Sequence, residues 1–262
     1  MSVAGLLHPG EMGAAVGRCL TGAGHTVLWA SAGRSPATAD RARAASLTDA
    51  GTLTGVADRA GVVVSVCPPH AALDVAREVA GAGFRGVFVD ANAVSPATAR
   101  EARDMIVAAG GVFVDGGIIG LPPLTPGHTR LYLSGDGASE VAGLFAGTAL
   151  DARVVPGEAG AASALKMSYA AWTKGTGALL LAIRALARAE GVEEALLAEW
   201  ALSQPALAAR SEQAARSAAA KGWRWIAEME EIAATMTADG LPGGFHQAAA
   251  EIYRRPGAPG AG

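Results

Sequence analysis

The feature that most constrains this chain is an alternation that stops partway along it. Up to about residue 155, short runs rich in β-branched and apolar residues recur at 3–7, 26–30, 62–66, 87–90, 112–115, 131–134 and 153–155. Between several of them lie Ala-rich segments of helical length, at 12–23, 71–80 and 96–109. Strands separated by single helices predict βαβ units, which right-handed crossovers assemble into a parallel, doubly wound sheet of Rossmann type. From about residue 158 the strand signal stops, and Ala, Leu, Glu, Arg and Met dominate. These are good helix formers, and the pattern predicts helices over 160–190 (closed by Gly191), 194–202, 205–219, 226–238 (closed by Gly240) and 244–254. The expected organisation is an α/β domain over 1–157, an all-helical domain over 158–254, and a disordered Pro/Gly-rich tail over 255–262.

Composition removes several classes of function. The chain has 262 residues, and 51% are hydrophobic, which is too many for disorder and enough to bury a sizeable core. No apolar run reaches the ~18–20 residues that a bilayer demands; the run at 178–182 is soon broken by Arg184. The first residues lack a basic segment before an apolar stretch, so no signal peptide is expected. A net charge of −3 argues against a nucleic-acid or anionic-membrane binder. Two cysteines, Cys19 and Cys67, make no disulfide framework, fit a reducing cytoplasm and stand in no metal-ligand spacing, so no metal site is expected. The Ala/Leu-rich helical half offers more apolar face than a small domain needs, which points to self-association.

The first turn carries the strongest motif. A strand at 3–7 runs into His8-Pro9-Gly10-Glu11-Met12-Gly13 and then a helix. In a dinucleotide fingerprint of the form G-x-G-x-x-G, the glycines allow a tight turn, admit the pyrophosphate to backbone amides and let helix pack on strand. Gly10 and Gly13 occupy the second and third positions; His8 replaces the first, so the turn is expected in another backbone shape, with help from Pro9. The anion site itself survives, because it rests on Gly10 and the helix N-terminus. His8 is either a protonated aid to the pyrophosphate or a neutral turn residue.

The second strand leads into Ser31-Ala32-Gly33-Arg34-Ser35, with no acid at the ribose position about 20 residues beyond the loop. Donors from Ser31 and Ser35 and the fixed cation of Arg34 suit a 2′-phosphate, so NADP(H) is expected over NAD(H). The bland reading makes Arg34 a solvated loop residue. The loop Ser65-Val66-Cys67-Pro68-Pro69-His70 is expected to pass beside the cofactor, with Cys67 a packed small hydrophobe and not a nucleophile.

Taken together, four motifs are specific. They are Gly-Leu-Leu-His-Pro-Gly-Glu-Met-Gly at 5–13, Val-Asp-Ala-Asn-Ala-Val-Ser-Pro at 89–96, Val-Asp-Gly-Gly-Ile-Ile-Gly at 114–120 and Gly-Ala-Ala-Ser-Ala-Leu-Lys-Met-Ser-Tyr at 160–169. Over nearly its whole length the chain resembles the β-hydroxyacid dehydrogenase superfamily, which includes 6-phosphogluconate and 3-hydroxyisobutyrate dehydrogenase-like enzymes. More narrowly, it resembles the branch in which a C-terminal domain of unknown function follows the NAD(P)-binding domain, and it is similar to imine reductases. The resemblance implies that Lys166, on the long helix, is the general acid/base. Its Ala- and Leu-rich neighbours are expected to desolvate it partly and lower its pKa. At helical spacing Ser163, Lys166, Tyr169 and Thr173 share a face, readable as a site wall or as a solvated stripe.

The motifs also depart from the family. Asn92-Ala93 stands where hydroxyls usually hold substrate, leaving Asn92 to orient it. Ile119-Gly120-Leu121 replaces a Ser-Gly-Gly, so Gly117, Ile118, Ile119 and Gly120 form an apolar substrate wall. Tyr169 replaces an Asn and is either a second proton donor or packing. His246 is a surface residue or, in a family of homodimers, one that reaches a partner's pocket. The four helical tryptophans, including Trp172, Trp200 and Trp223, read as interface or core anchors. The implied function is NADPH-dependent hydride transfer with a small carbonyl or hydroxy-acid-like substrate. The alternatives are an imine reductase and a non-catalytic NADPH-binding protein.

Overall fold

A computed structural model describes residues 2–255; the expected disordered tail lies, apart from Arg255, outside the described residues. The described chain divides into two compact units that meet at Lys166 and Met167.

The first unit runs β1 (Val3–Leu7), α1 (Glu11–Gly22), β2 (Thr26–Trp29), α2 (Pro36–Ala44), β3 (Thr48–Asp49), α3 (Leu53–Ala57), β4 (Val62–Ser65), α4 (Ala72–Gly81), β5 (Val87–Asp90), α5 (Pro96–Ala108), β6 (Val112–Ile119), β7 (Thr129–Ser134), α6 (Ala138–Gly143) and β8 (Leu150–Val154), and ends in the first turns of α7 (Ala161–Ala189). The eight strands form one sheet in the order β3-β2-β1-β4-β5-β6-β7-β8. Every neighbouring pair is parallel except β6 and β7. This is the expected α/β doubly wound sheet, and the order reverses between β1 and β4, where such sheets open a ligand crevice at their carboxyl ends.

Its strands are apolar because both faces are covered: all four residues of β4 and the last four of β1 are buried. One core cluster gathers Leu6, Val16, Leu20, Val64, Leu131 and Leu133, and a second gathers Leu28, Val63, Phe88, Ile106 and Phe113. The tetrapeptide Ser-Pro-Ala-Thr occurs twice and starts a helix each time. Ser35 and Ser95 accept from the backbone N–H groups of Thr38 and Thr98, with proline at the first helical position.

The second unit contains the rest of α7, then α8 (Glu193–Ser203), α9 (Leu207–Ala238) and α10 (Gly244–Arg254). The two helices expected over 205–219 and 226–238 are one, α9. Gly222 does not break it. The glycine is buried, and a Cβ there would stand 3.5 Å from the Tyr253 ring, so it gives α10 room to approach. Trp225 then meets Tyr253 edge to face, with ring centroids 5.1 Å apart. A partly buried ion pair joins Lys174 to Glu228, and the Tyr253 hydroxyl donates to the Lys174 carbonyl at 2.6 Å. Among the described residues no helix is long and apolar enough to cross a membrane.

The seam expected near residue 157 falls nine residues later, after Lys166. The cause is Asp115, the residue at which β6 passes the end of β5. Its carboxylate accepts from the Gly160 and Ser163 N–H groups, both at 2.9 Å, from the Ser163 hydroxyl at 2.5 Å and from the Ser134 hydroxyl at 3.1 Å. Ser134 in turn accepts from the Ala162 N–H at 3.0 Å. The start of α7 is therefore capped by the sheet.

Candidate active site

The register of the parallel strands places the candidate residues. Leu7 pairs with Ser65, Ser65 with Asp90 and Asp90 with Asp115, so these four mark one level at the carboxyl edge. Everything beyond that level is loop, except β6, which continues through Ile119 paired to β7.

The His8–Gly13 turn rises from β1. His8 has φ +66°, so the turn keeps the left-handed backbone that glycine normally supplies. The other backbone shape expected from its Cβ is not adopted, because the helix that follows leaves no room for it: the Gly10 N–H donates back to the His8 carbonyl at 2.7 Å, and a Cβ on Gly13 would lie 2.5 Å from that oxygen. A Cβ on Gly10 would meet no atom nearer than 4.0 Å, so its surroundings are open, as a phosphate approaching the helix N-terminus requires. Burial, reinforced by the Arg34 guanidinium, pushes the His8 pKa down to about 4. The imidazole is therefore neutral near pH 7 in the free protein. Met12 turns inward onto the core and Glu11 is exposed.

Three residues acquire roles that local sequence does not show, two of them around the turn. Arg41 of α2 donates from Nε to the Pro9 carbonyl at 3.0 Å and from Nη2 to Thr38 Oγ1 at 3.0 Å, pinning the turn from outside. Asp49, at the end of β3, accepts from the Gly51 N–H at 2.7 Å; that bond and a hydrogen bond with Ser31 hold its carboxyl below the usual range. Ser31 thus has an acidic neighbour that the β2 sequence does not reveal. Asp115 is the third. Ser35 spends its hydroxyl on the α2 cap, whereas Arg34 is exposed.

Across the crevice, Asn92 differs from expectation. It is only 3% exposed, its Oδ1 accepts from the Cys67 N–H at 2.6 Å and its Nδ2 donates to the Ser65 hydroxyl at 3.2 Å. Its carboxamide ties the β4 and β5 loops together instead of projecting toward a substrate. Burial pushes the Cys67 thiol up to about 11, which keeps it protonated. Pro68 is exposed beside it. Asp90 is fully buried; Oδ1 accepts from the Asn92 N–H at 2.9 Å, while Oδ2 has no partner. Burial, with the Asp115 charge adding to it, pushes Asp90 up to about 7.

The expected substrate wall is a strand and not a loop. Ile118 and Ile119 belong to β6 and are buried, Ile118 within the main core, so neither forms an open wall. Gly117 has a different reason to be glycine: a Cβ there would lie 2.9 Å from Lys166 Cβ and 3.0 Å from the Ala162 carbonyl. The strand and the first turns of α7 touch backbone to backbone, and this contact sets Lys166, half-buried, beside β6 beyond the carboxyl edge. Ser163 does not join Lys166 as a site-wall residue, since its hydroxyl is buried on Asp115. Gly120 closes the strand at φ +131°, and Leu121 beyond it is exposed.

The remaining expected residues belong to the helical unit. Tyr169 and Thr173 are exposed on α7, and the Thr173 hydroxyl donates to the Tyr169 carbonyl at 3.1 Å. His246 is not a surface residue: it is 4% exposed, packed on Gly175, with Nδ1 unpartnered. Trp200 is buried, while Trp172 and Trp223 are exposed. Among the described residues no group of three His, Cys, Asp or Glu could hold a metal.

Comparison with known proteins agrees with this architecture. Residues 187–255 match the family described as Domain of unknown function (DUF1932). An uncharacterized 28.5 kDa protein of Methanothermus fervidus is 32% identical over 136 residues, and the match spans about half of each chain, 52% of this one and 51% of that one. A conserved protein of unknown function, reported to be structurally similar to 3-hydroxyacid dehydrogenases, is 29% identical; the match covers 96% of this chain and 95% of that one, with a TM-score of 0.74. The Mycobacterium tuberculosis 3-hydroxyisobutyrate dehydrogenase shares the fold at 19% identity, covering 100% and 95% of the two chains, with a TM-score of 0.74. A reductive aminase from Aspergillus terreus, solved with NADPH, shares it at 20% identity, covering 97% and 93%, with a TM-score of 0.61. The fold is thus that of the hydroxyacid dehydrogenases and imine reductases. A DUF1932 segment forms its C-terminal part, as the sequence motifs implied.

Proposed function

We propose that this chain is an NADPH-dependent oxidoreductase that interconverts a small carbonyl compound and its alcohol, of hydroxy-acid-like kind, with Lys166 as general acid/base. The observation that carries the reading is the placement of Lys166. The Asp115 cap and the Gly117 contact set it beside β6, beyond the edge from which the His8–Gly13 turn also rises. The residues fit a dinucleotide: Gly10 lies open, the α1 N-terminus offers N–H donors, and Arg34 stands exposed for a 2′-phosphate. When bound, the nicotinamide donates or accepts the hydride. Lys166 Nζ gives a proton to the substrate oxygen in reduction and takes one in oxidation. Asn92 keeps the β4 and β5 loops in register around the crevice, and Cys67 and Pro68 form its far side.

A second reading, reduction of a C=N bond, draws on Ala93 and Leu121, which present no hydroxyl to a charged substrate. In that case Lys166 or Tyr169 serves the imine nitrogen. Exposed Leu179, Leu186 and Phe245 in the helical unit support a homodimer formed through that unit, and the free thiols of Cys19 and Cys67 suit a cytoplasmic setting.

Fluorescence titration with NADPH, followed by a turnover screen over carbonyls, hydroxy acids and cyclic imines, tests the proposal. Lys166→Met should leave NADPH affinity within about threefold, a margin worth less than ~1 kcal/mol. It should lower kcat by roughly 10²–10⁴-fold. Tight binding without turnover on any of these substrates would instead make the chain a non-catalytic NADPH binder, and near-wild-type kcat in the variant would remove Lys166 from the proton path.

A further inference from the structure

We propose that His8 makes cofactor binding proton-linked: its imidazole takes up a proton when the phosphates of a dinucleotide dock on the His8–Gly13 turn. The inference rests on the nicotinamide-dinucleotide reading above and adds a role for a residue which that reading leaves as a replaced glycine.

The geometry is specific to this turn. A left-handed φ of +66° in a residue with a full side chain is uncommon, and here it fixes where the ring can go. Nδ1 is buried and meets no hydrogen-bond partner in the protein. No acceptor at Nδ1 therefore favours the imidazolium. The protein charge that acts on the ring is Arg34, which repels a proton. The other ionisable groups around the turn do not offset it. Arg41, on the Pro9 carbonyl, adds a second cation. Cys67, which also feels Arg34, stays a neutral thiol, and Asp90 behind it is pushed up to about 7. Glu11 follows in the first turn of α1, exposed to water that screens its charge, and Asp49 lies at the end of β3 on Ser31.

A dinucleotide inverts that field. A phosphate monoester carries about −1.5 to −2 charge at neutral pH, and a pyrophosphate on the Gly10–Gly13 amides adds more. Anions placed between Arg34 and the ring cancel the repulsion and favour the imidazolium. The proton comes from solvent, so binding tightens as pH falls, by at most about tenfold per pH unit for one linked proton. Below a pH of about 6 the phosphate itself begins to protonate and the gain levels off.

Calorimetric titration with NADPH at pH 7, in buffers of different ionisation enthalpy, counts protons taken up on binding. His8→Asn is the control, because asparagine tolerates a positive φ; His8→Gly, which restores the usual glycine, is the second. The wild type should take up several tenths of a proton more than either variant, and its Kd should fall several-fold from pH 8 to 6.5 while theirs stay flat. Equal proton counts and parallel pH profiles would overturn the inference and leave the cofactor reading intact. No NADPH binding by the wild type would overturn both. Should a variant fail to bind, absence of any buffer-dependent heat in the wild type alone still decides against the proposal.

Discussion

Asp90 stands outside the proposed proton path, yet it should weigh on the pH dependence of stability. Its carboxyl is buried among β4, β5 and β6, with Oδ2 unpartnered and Asp115 as its register neighbour. The folded state holds its proton up to about pH 7, whereas the unfolded chain gives it up near 3.8. Between those values this group gives the native state one more proton than the unfolded one, so its contribution to stability falls as pH rises and levels off above 7, while His8, held down to about 4, acts in the opposite sense below 6.5. The shift corresponds to a loss on the order of 4 kcal/mol across that window. Asp90→Asn should remove this contribution, so that the variant gains on wild type as pH rises from 5 and is at least as stable at pH 8. Urea denaturation at pH 5, 6, 7 and 8 checks this; an unchanged slope would place the titration elsewhere.

At the scale of elements, the start of α7 depends on one side chain. Asp115→Ala leaves the Gly160 and Ser163 amides and two serine hydroxyls without their acceptor in a buried place. A cost of about 3 kcal/mol or more is expected, with faster hydrogen exchange at Gly160 and Ser163. A loss below ~1 kcal/mol would show that packing against Gly117 suffices to hold the helix. Strands such as β4 and β5, apolar up to their last residue, are legible in the sequence because burial on both faces leaves a continuous signal. Less legible were α2, α3, β3 and α6, which are short or polar: α2 and α3 rest on caps at Ser35 and Thr52, β3 on pairing with β2, and α6 follows a left-handed Gly137 without a side-chain cap. The repeated Ser-Pro-Ala-Thr was the available signal for α2, and Val-Asp at 89–90 and 114–115 was the signal for the paired carboxyls.

In the candidate site, the turn at Gly10 and Gly13 and the helical position of Lys166 were legible because backbone constraint and helix position show in local sequence. The work of Asn92, Ser163, Ile118, Ile119 and His246 was not, because their partners are distant in the chain or supplied by packing. Arg41 was invisible for a further reason: it sits on a helix that was itself unpredicted.

For the whole molecule, the proposed activity requires that a sheet built around the reversal between β1 and β4 hold a phosphorylated dinucleotide while α7 brings an amine to its reactive end. The shared fold makes such an enzyme possible but does not choose its chemistry, because one fold hosts many functions. The choice rests on the turn, Arg34 and Lys166. A crystal structure of the chain with NADPH tests all three at once. The account predicts pyrophosphate on the Gly10–Gly13 amides, the 2′-phosphate beside Arg34 and the nicotinamide facing the Lys166 side chain. A dinucleotide bound away from the turn, or an amine turned to bulk solvent with the nicotinamide elsewhere, would contradict it.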